Sequence, residues 1–122
     1  MDTKKNTNKI AVPSMGKSPD ALMSESFGRC PFIIIYDNES RTYNSFENMG
    51  AKVQDGSGLR AAEILIQNKV NRLLTVEIGR KAYSVLSNEH IAINILKSTG
   101  KVKSLINKFL KKEQKINRLN NH

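Results

Sequence analysis

Residues 73–96 read LLTVEIGRKAYSVLSNEHIAINIL, and their reading decides the fold. Leu73-Leu-Thr-Val76 is a short, almost continuous apolar run, the pattern of a strand buried on both faces. From Arg80 to about Asn88 the spacing turns helical, with Ala82, Tyr83 and Leu86 on one face. Ile91 to Leu96 is a second apolar strand. Strand, helix and strand in such close succession imply a right-handed crossover and parallel pairing.

The same alternation extends in both directions. Upstream, Leu59 to Lys69 places Leu59, Ala62, Leu65 and Ile66 at helical spacing, with Asp55 or Ser57 available to cap the first turn and Asn71 to end the helix. Before it, Phe32-Ile-Ile-Ile-Tyr36 and Arg41 to Glu47 flank the turn residues Asp37-Asn-Glu-Ser40 and predict a hairpin. Lys9-Ile-Ala-Val-Pro13 is the first strand, and Pro13 is expected to stop it from continuing as a central hydrogen-bonded strand. Downstream, Ser98-Thr-Gly100 leads into a third helix, whose Val102, Leu105, Ile106, Phe109 and Leu110 form an apolar stripe opposite lysines. The predicted class is α/β: a ribonuclease H-like three-layer fold, with a mixed five-stranded sheet and helices on both faces. Residues 9–112 form the domain, 1–8 a disordered N-terminal segment, and 113–122 a basic, Asn-rich C-terminal tail.

Composition narrows the function classes. A chain of 122 residues, 39% hydrophobic and 25% charged, has the balance of one globular domain. Its one cysteine, Cys30, excludes an intramolecular disulfide and a cysteine-rich metal cage, and points to the reducing cytoplasm. No apolar stretch approaches the roughly 20 residues needed to cross a bilayer, and the polar start MDTKKNTNK does not read as a signal peptide. No membrane partner is expected.

The net charge of +9 is terminal. Residues 10–96 carry nine charges of each sign, whereas residues from Lys97 onward carry eight basic side chains against Glu113, or 8 − 1 = +7. Such a helix can bind nucleic acid nonspecifically through phosphate contacts, the alternative function for this chain. The reading given more weight is a solvated helix face that aids solubility; Phe109 belongs to the apolar stripe and no aromatic is interleaved with the lysines, so base stacking on single strands is poorly supported.

In open α/β sheets ligands bind at the carboxyl ends of the parallel strands, so the loops after strands one and four and the loop before helix one should share one mouth. Gly56, Ser57 and Gly58 would bring backbone amides to a helix N-terminus, where the macrodipole favours anions, and Gly79 with Arg80 would do so at the second helix. Arg29 and Arg80 add guanidinium forks. Cys30 offers one thiolate to iron or copper, its pKa lowered by neighbouring positive charge, or else is a buried core thiol. Phe27 reads as core and Gly28 as a turn residue with positive φ. His90 and His122 lack metal-ligand spacing. Two-metal phosphoryl transfer would need clustered carboxylates, including one on the first strand, which has none, so no enzymatic activity is expected.

Ser24-Glu-Ser-Phe-Gly-Arg-Cys-Pro31, Asp55-Gly-Ser-Gly-Leu-Arg-Ala-Ala-Glu63 and Thr75-Val-Glu-Ile-Gly-Arg-Lys-Ala82, with the opening Lys-Ile-Ala-Val-Pro, resemble the dinitrogenase iron-molybdenum cofactor biosynthesis family, the NifX-like domain. The resemblance spans about residues 9 to 112. It implies the ribonuclease H-like fold and a carrier or chaperone of anionic metal–sulfur clusters, containing iron, molybdenum or both, with copper a further candidate. It also implies a cluster donor or acceptor protein as partner. Ser26 and Arg29 stand where nitrogenase-associated members tend to carry histidines, which removes the obvious imidazole ligands. The Phe-Gly-Arg-Cys-Pro version looks like the stand-alone members. The expected cofactor-binding residues are Ser26, Gly28, Arg29, Cys30, Gly56, Ser57, Gly58, Gly79 and Arg80, with Cys30 the metal ligand.

Overall fold

A computed structural model describes residues 9–53 and 55–119. Five strands, β1 (Lys9–Ser14), β2 (Phe32–Asp37), β3 (Thr42–Glu47), β4 (Arg72–Thr75) and β5 (Ala92–Ile95), form one sheet in the order β3-β2-β1-β4-β5. β2 is antiparallel to both β1 and β3, while β1 with β4 and β4 with β5 are parallel, so the sheet is mixed as expected. The helices are α1 (Ser57–Gln67), α2 (Arg80–Asn88) and α3 (Val102–Leu119), with a 3-10 turn at Met49–Lys52 after β3. α3 takes in residues 113–119 of the segment set apart as a tail; the segments 1–8 and 120–122 lie outside the described residues.

Alternate side chains of the central strands feed two separate cores. Ala11, Ile33, Ile35 and Leu73 pack with Ala61, Ala62 and Leu65 of α1 and Ala82 and Leu86 of α2. Ile10, Val12, Ile34, Tyr36 and Leu74 pack with Val102 and Ile106 of α3 on the opposite face. This is the period-2 partition of a sheet covered on both sides. Tyr83, expected on the buried face of α2, is exposed, and half-buried Val85 packs there instead. Arg72 lies over Phe109, its guanidinium carbon 5.0 Å from the ring centroid, and donates to Asn94. Phe109 therefore offers no free ring to the exposed lysines of α3.

Pro13 does not end β1. The strand runs on to Ser14 in the middle of the sheet, with Pro13 opposite Ile33. The Pro13 carbonyl accepts from Ser24 N at 2.9 Å, on the side facing away from β2, so the missing N–H falls on that side too and no bond to β2 is lost.

α1 and α2 end alike. Lys69 and His90 adopt left-handed φ values of 56° and 63°, and the following amides, Val70 N and Ile91 N, return to Leu65 O and Leu86 O at 3.0 and 2.9 Å. His90 is thus a chain-reversal residue in a helix-to-strand turn.

Candidate functional site

The long connection after β1 is laced down in two halves. Residues 19–24 are tied to the start of α3: Val102 N donates to Ala21 O, Lys103 N to Pro19 O, and Met23 N to Gly100 O. Residues 25–31 are tied to the end of β4 and to the 3-10 turn. Ser26 forms a parallel bridge with Glu77, through Phe27 N to Glu77 O at 3.1 Å and Glu77 N to Glu25 O at 2.9 Å. Phe27, fully buried in the α1/α2 core, anchors this half as expected.

Gly28 is small because of its neighbours. A Cβ there would stand 2.9 Å from Ser57 Oγ, 3.0 Å from Gly58 N and 3.1 Å from Gly58 Cα. The expected positive φ is corrected: among the described glycines only Gly56 has one. The turn is thus pressed onto the first turn of α1, closer than any side chain permits.

The capping expectation for α1 is corrected as well. Gly56 occupies the N-cap position at φ 78°, ψ 16°, and among the described residues no side chain caps the first turn. Ser57 is already helical and Asp55 lies one residue too early, so neither reaches the cap position. At α2 the N-cap is Gly79, extended at φ −72°, ψ 159°, again with no side-chain cap. The two first turns adjoin: a Cβ on Gly58 would be 3.2 Å from Ala82 Cβ. Two parallel helices thus present uncapped N-termini side by side, each the positive end of its helix dipole.

Two adjoining clefts result. One, of about 520 Å³, is lined by Ser26, Gly28, Val76, Glu77, Ile78, Gly79 and Ile95. The other, of about 330 Å³, is lined by residues 56–59 and 79–82, and Gly79 borders both. The second contains Arg80 and Lys81 in its wall and no carboxylate, whereas Glu77 lines the first. Ser26, Gly28, Gly56, Ser57, Gly58, Gly79 and Arg80 are therefore brought together at the carboxyl ends of the parallel strands, where the topology places a mouth.

Arg29 and Cys30 are not in either wall. Arg29 Nη1 donates to Val53 O at 2.6 Å and Ala51 O at 3.4 Å, strapping the 3-10 turn. Cys30 is fully buried in the α1/α2 core. Its thiol donates to Phe27 O at 2.9 Å, and Asn48 Nδ2 lies 3.6 Å from the sulfur. Burial pushes the Cys30 thiol up to about 12, outweighing the hydrogen bonds that lower it, so the expected depressed pKa is corrected. A protonated, enclosed sulfur does not face the mouth as a ligand. Among the described residues, no three of His, Cys, Asp or Glu stand together where they could hold a metal ion.

Sequence reasoning missed Lys81, Glu77 and Asn48. Lys81 and Glu77 lie inside a motif already singled out, and become site residues only once Gly79 is seen to border both clefts. Asn48 is 2% exposed and gives no sign in the sequence that it is buried.

The chain is thus a small α/β domain that presents two helix N-termini side by side at one mouth. The chain belongs to the dinitrogenase iron-molybdenum cofactor family, which it matches over residues 8–112. It is similar to the apo form of the orange protein from Desulfovibrio gigas, at 25% identity and a TM-score of 0.81, covering 88% of this chain and 91% of that one. It is also similar to a Thermotoga protein of the DUF35 family, a candidate NifB protein solved by NMR, at 29% identity and a TM-score of 0.75, covering 85% and 88%. None of the curated proteins matches the chain.

Proposed function

We propose that this protein carries or buffers an anionic metal–sulfur cluster, or its precursor, without turning it over. The observation that carries the reading is the pairing of the α1 and α2 N-termini around Gly56–Gly58 and Gly79–Arg80 in a chain of this family. A sulfide-ligated cluster of iron, molybdenum or copper is a bulky, soft anion, and it is the cargo. The donor set fits capture through backbone N–H groups and the Arg80 and Lys81 cations. It does not fit thiolate anchoring, because Cys30 is enclosed and protonated. Ser26 and Gly28 form the neighbouring wall, and Arg29 holds it indirectly through the 3-10 turn. We read the strand order as the ribonuclease H-like arrangement, used here for binding.

The test is an anaerobic visible-absorption titration with tetrathiomolybdate plus ferrous or cuprous ion. Saturable charge-transfer bands are expected in the wild type, weakened by Arg80→Ala and by rising salt, and retained in Cys30→Ala. Absence of saturable bands in the wild type overturns the carrier reading. Bands abolished by Cys30→Ala alone overturn capture by amides and cations.

A further inference from the structure

We infer that Asn48 is the positioning residue of the mouth: its side-chain amide sets where Gly28 meets the first turn of α1. The inference takes its functional meaning from the anion-capture reading, and deepens it by naming what holds that site in register.

Asn48 follows β3 directly and is 2% exposed. Its backbone is held on both sides, N donating to Pro31 O at 2.9 Å and O accepting from Ala51 N at 3.1 Å. The side chain then uses each of its polar functions. Nδ2 donates to Gly28 O at 3.1 Å and Cys30 O at 2.8 Å, while Oδ1 accepts from Gly50 N at 3.2 Å. Two donors and one acceptor on one short, planar group match two carbonyls and one amide. Aspartate would set a buried carboxylate against the two carbonyls with nothing to donate. Serine could serve only one of them. Glutamine would need room for another methylene.

The consequence passes through Gly28. Its carbonyl hangs from Asn48, and its Cα lies so close to Ser57 and Gly58 that no Cβ fits. A displaced Gly28 carbonyl therefore moves the seam at which α1 presents its first amides. Arg29 provides a second strap to the same 3-10 turn, from an exposed position. The buried bonds of Asn48 are the costlier ones to leave unmade.

The experiment compares wild type, Asn48→Asp, Asn48→Ser and Ile106→Val, the last a destabilising change in the opposite core. Backbone NMR with amide hydrogen exchange is run beside the tetrathiomolybdate titration. In Asn48→Asp we expect shifts at Gly28, Ser57 and Gly58, amide exchange at Gly28, Arg29 and Cys30 about tenfold faster, and affinity about tenfold weaker. Ile106→Val should move none of these. If Asn48→Asp does not fold, Asn48→Ser is read by the same criteria, with smaller changes at the same amides. Perturbations confined to residues 48–50, or an affinity loss matched by Ile106→Val, would overturn the assignment. A wild type that leaves tetrathiomolybdate unbound would remove the carrier reading, while the shifts at Ser57 and Gly58 would still decide whether Asn48 positions the seam.

Discussion

Gly28→Ala tests the architecture of the mouth most directly. The added methyl would enter a space bounded by Ser57 Oγ at 2.9 Å and, more stubbornly, by the Gly58 backbone at 3.0 and 3.1 Å. Serine could rotate away; the helix backbone cannot without carrying α1 with it. Overpacking of this kind costs about 1–3 kcal/mol, and the backbone obstacle puts this site toward the upper end. The loss of chain entropy in the unfolded state returns about 0.4–1 kcal/mol. The net destabilisation should be near 1.5–2 kcal/mol, which for a chain of this size lowers Tm by about 6–8 °C. Urea and thermal unfolding followed by circular dichroism measure it. Two other glycines serve as internal references. Gly79→Ala meets nothing within 4 Å at an ordinary φ, and its entropic return is offset by the poor performance of alanine at an N-cap position, so stability should stay about unchanged, whereas Gly56→Ala meets nothing either but must adopt φ 78° and should cost about 1 kcal/mol. Adding Ser57→Ala should not rescue Gly28→Ala, since Gly58 remains. A Gly28→Ala protein as stable as Gly79→Ala would refute the close-approach account.

Three further outcomes are expected. Because burial raises the Cys30 thiol from about 9 to about 12, the unfolded chain loses this proton first as pH rises; stability from this group is whole below pH 9 and falls toward pH 12 by up to about 1.4 kcal/mol per pH unit. Urea midpoints across that window should show the slope, Cys30→Ala should lack it, and a thiol reagent at pH 8 should label Cys30 only after unfolding. Phe27→Ala, emptying a fully buried aromatic site, should cost about 3–5 kcal/mol, with fluorescent-dye binding or calorimetry showing whether the loop loosens. Lys69→Gly and His90→Gly relieve left-handed residues at the ends of α1 and α2, and should each stabilise by about 0.5–1 kcal/mol in denaturant titrations.

Much of the fold was legible because periodicity and topology are written locally. Each predicted strand and helix overlaps an observed one, and the strand–helix alternation from Leu59 to Leu96 dictates the parallel half of the sheet. The reading of Pro13 erred because the sequence does not say which edge of a strand the missing N–H faces; that depends on Ser24, eleven positions later. The glycines of the mouth were found by motif, but their causes were not: Gly28 answers to Ser57 and Gly58 across the fold, and Gly56 displaces the side-chain caps that Asp55 and Ser57 suggested. Cys30 was the hardest to read. Between a turn and a strand, its direction rests on Phe27 and Asn48, and one step of register separates a mouth-facing thiolate from a core thiol.

The division of the β1–β2 connection between two anchors bears on how the molecule opens. Residues 19–24 hang from the start of α3, while residues 25–31 hang from β4 and the 3-10 turn, and α1 and α2 share one core as α3 keeps the other. Partial unfolding that peels α3 from its face would fray only the first half of the loop. The half that borders the clefts is tied to the other face of the sheet, so nicking or breathing of the C-terminal helix should leave its bonds to β4 and the 3-10 turn in place.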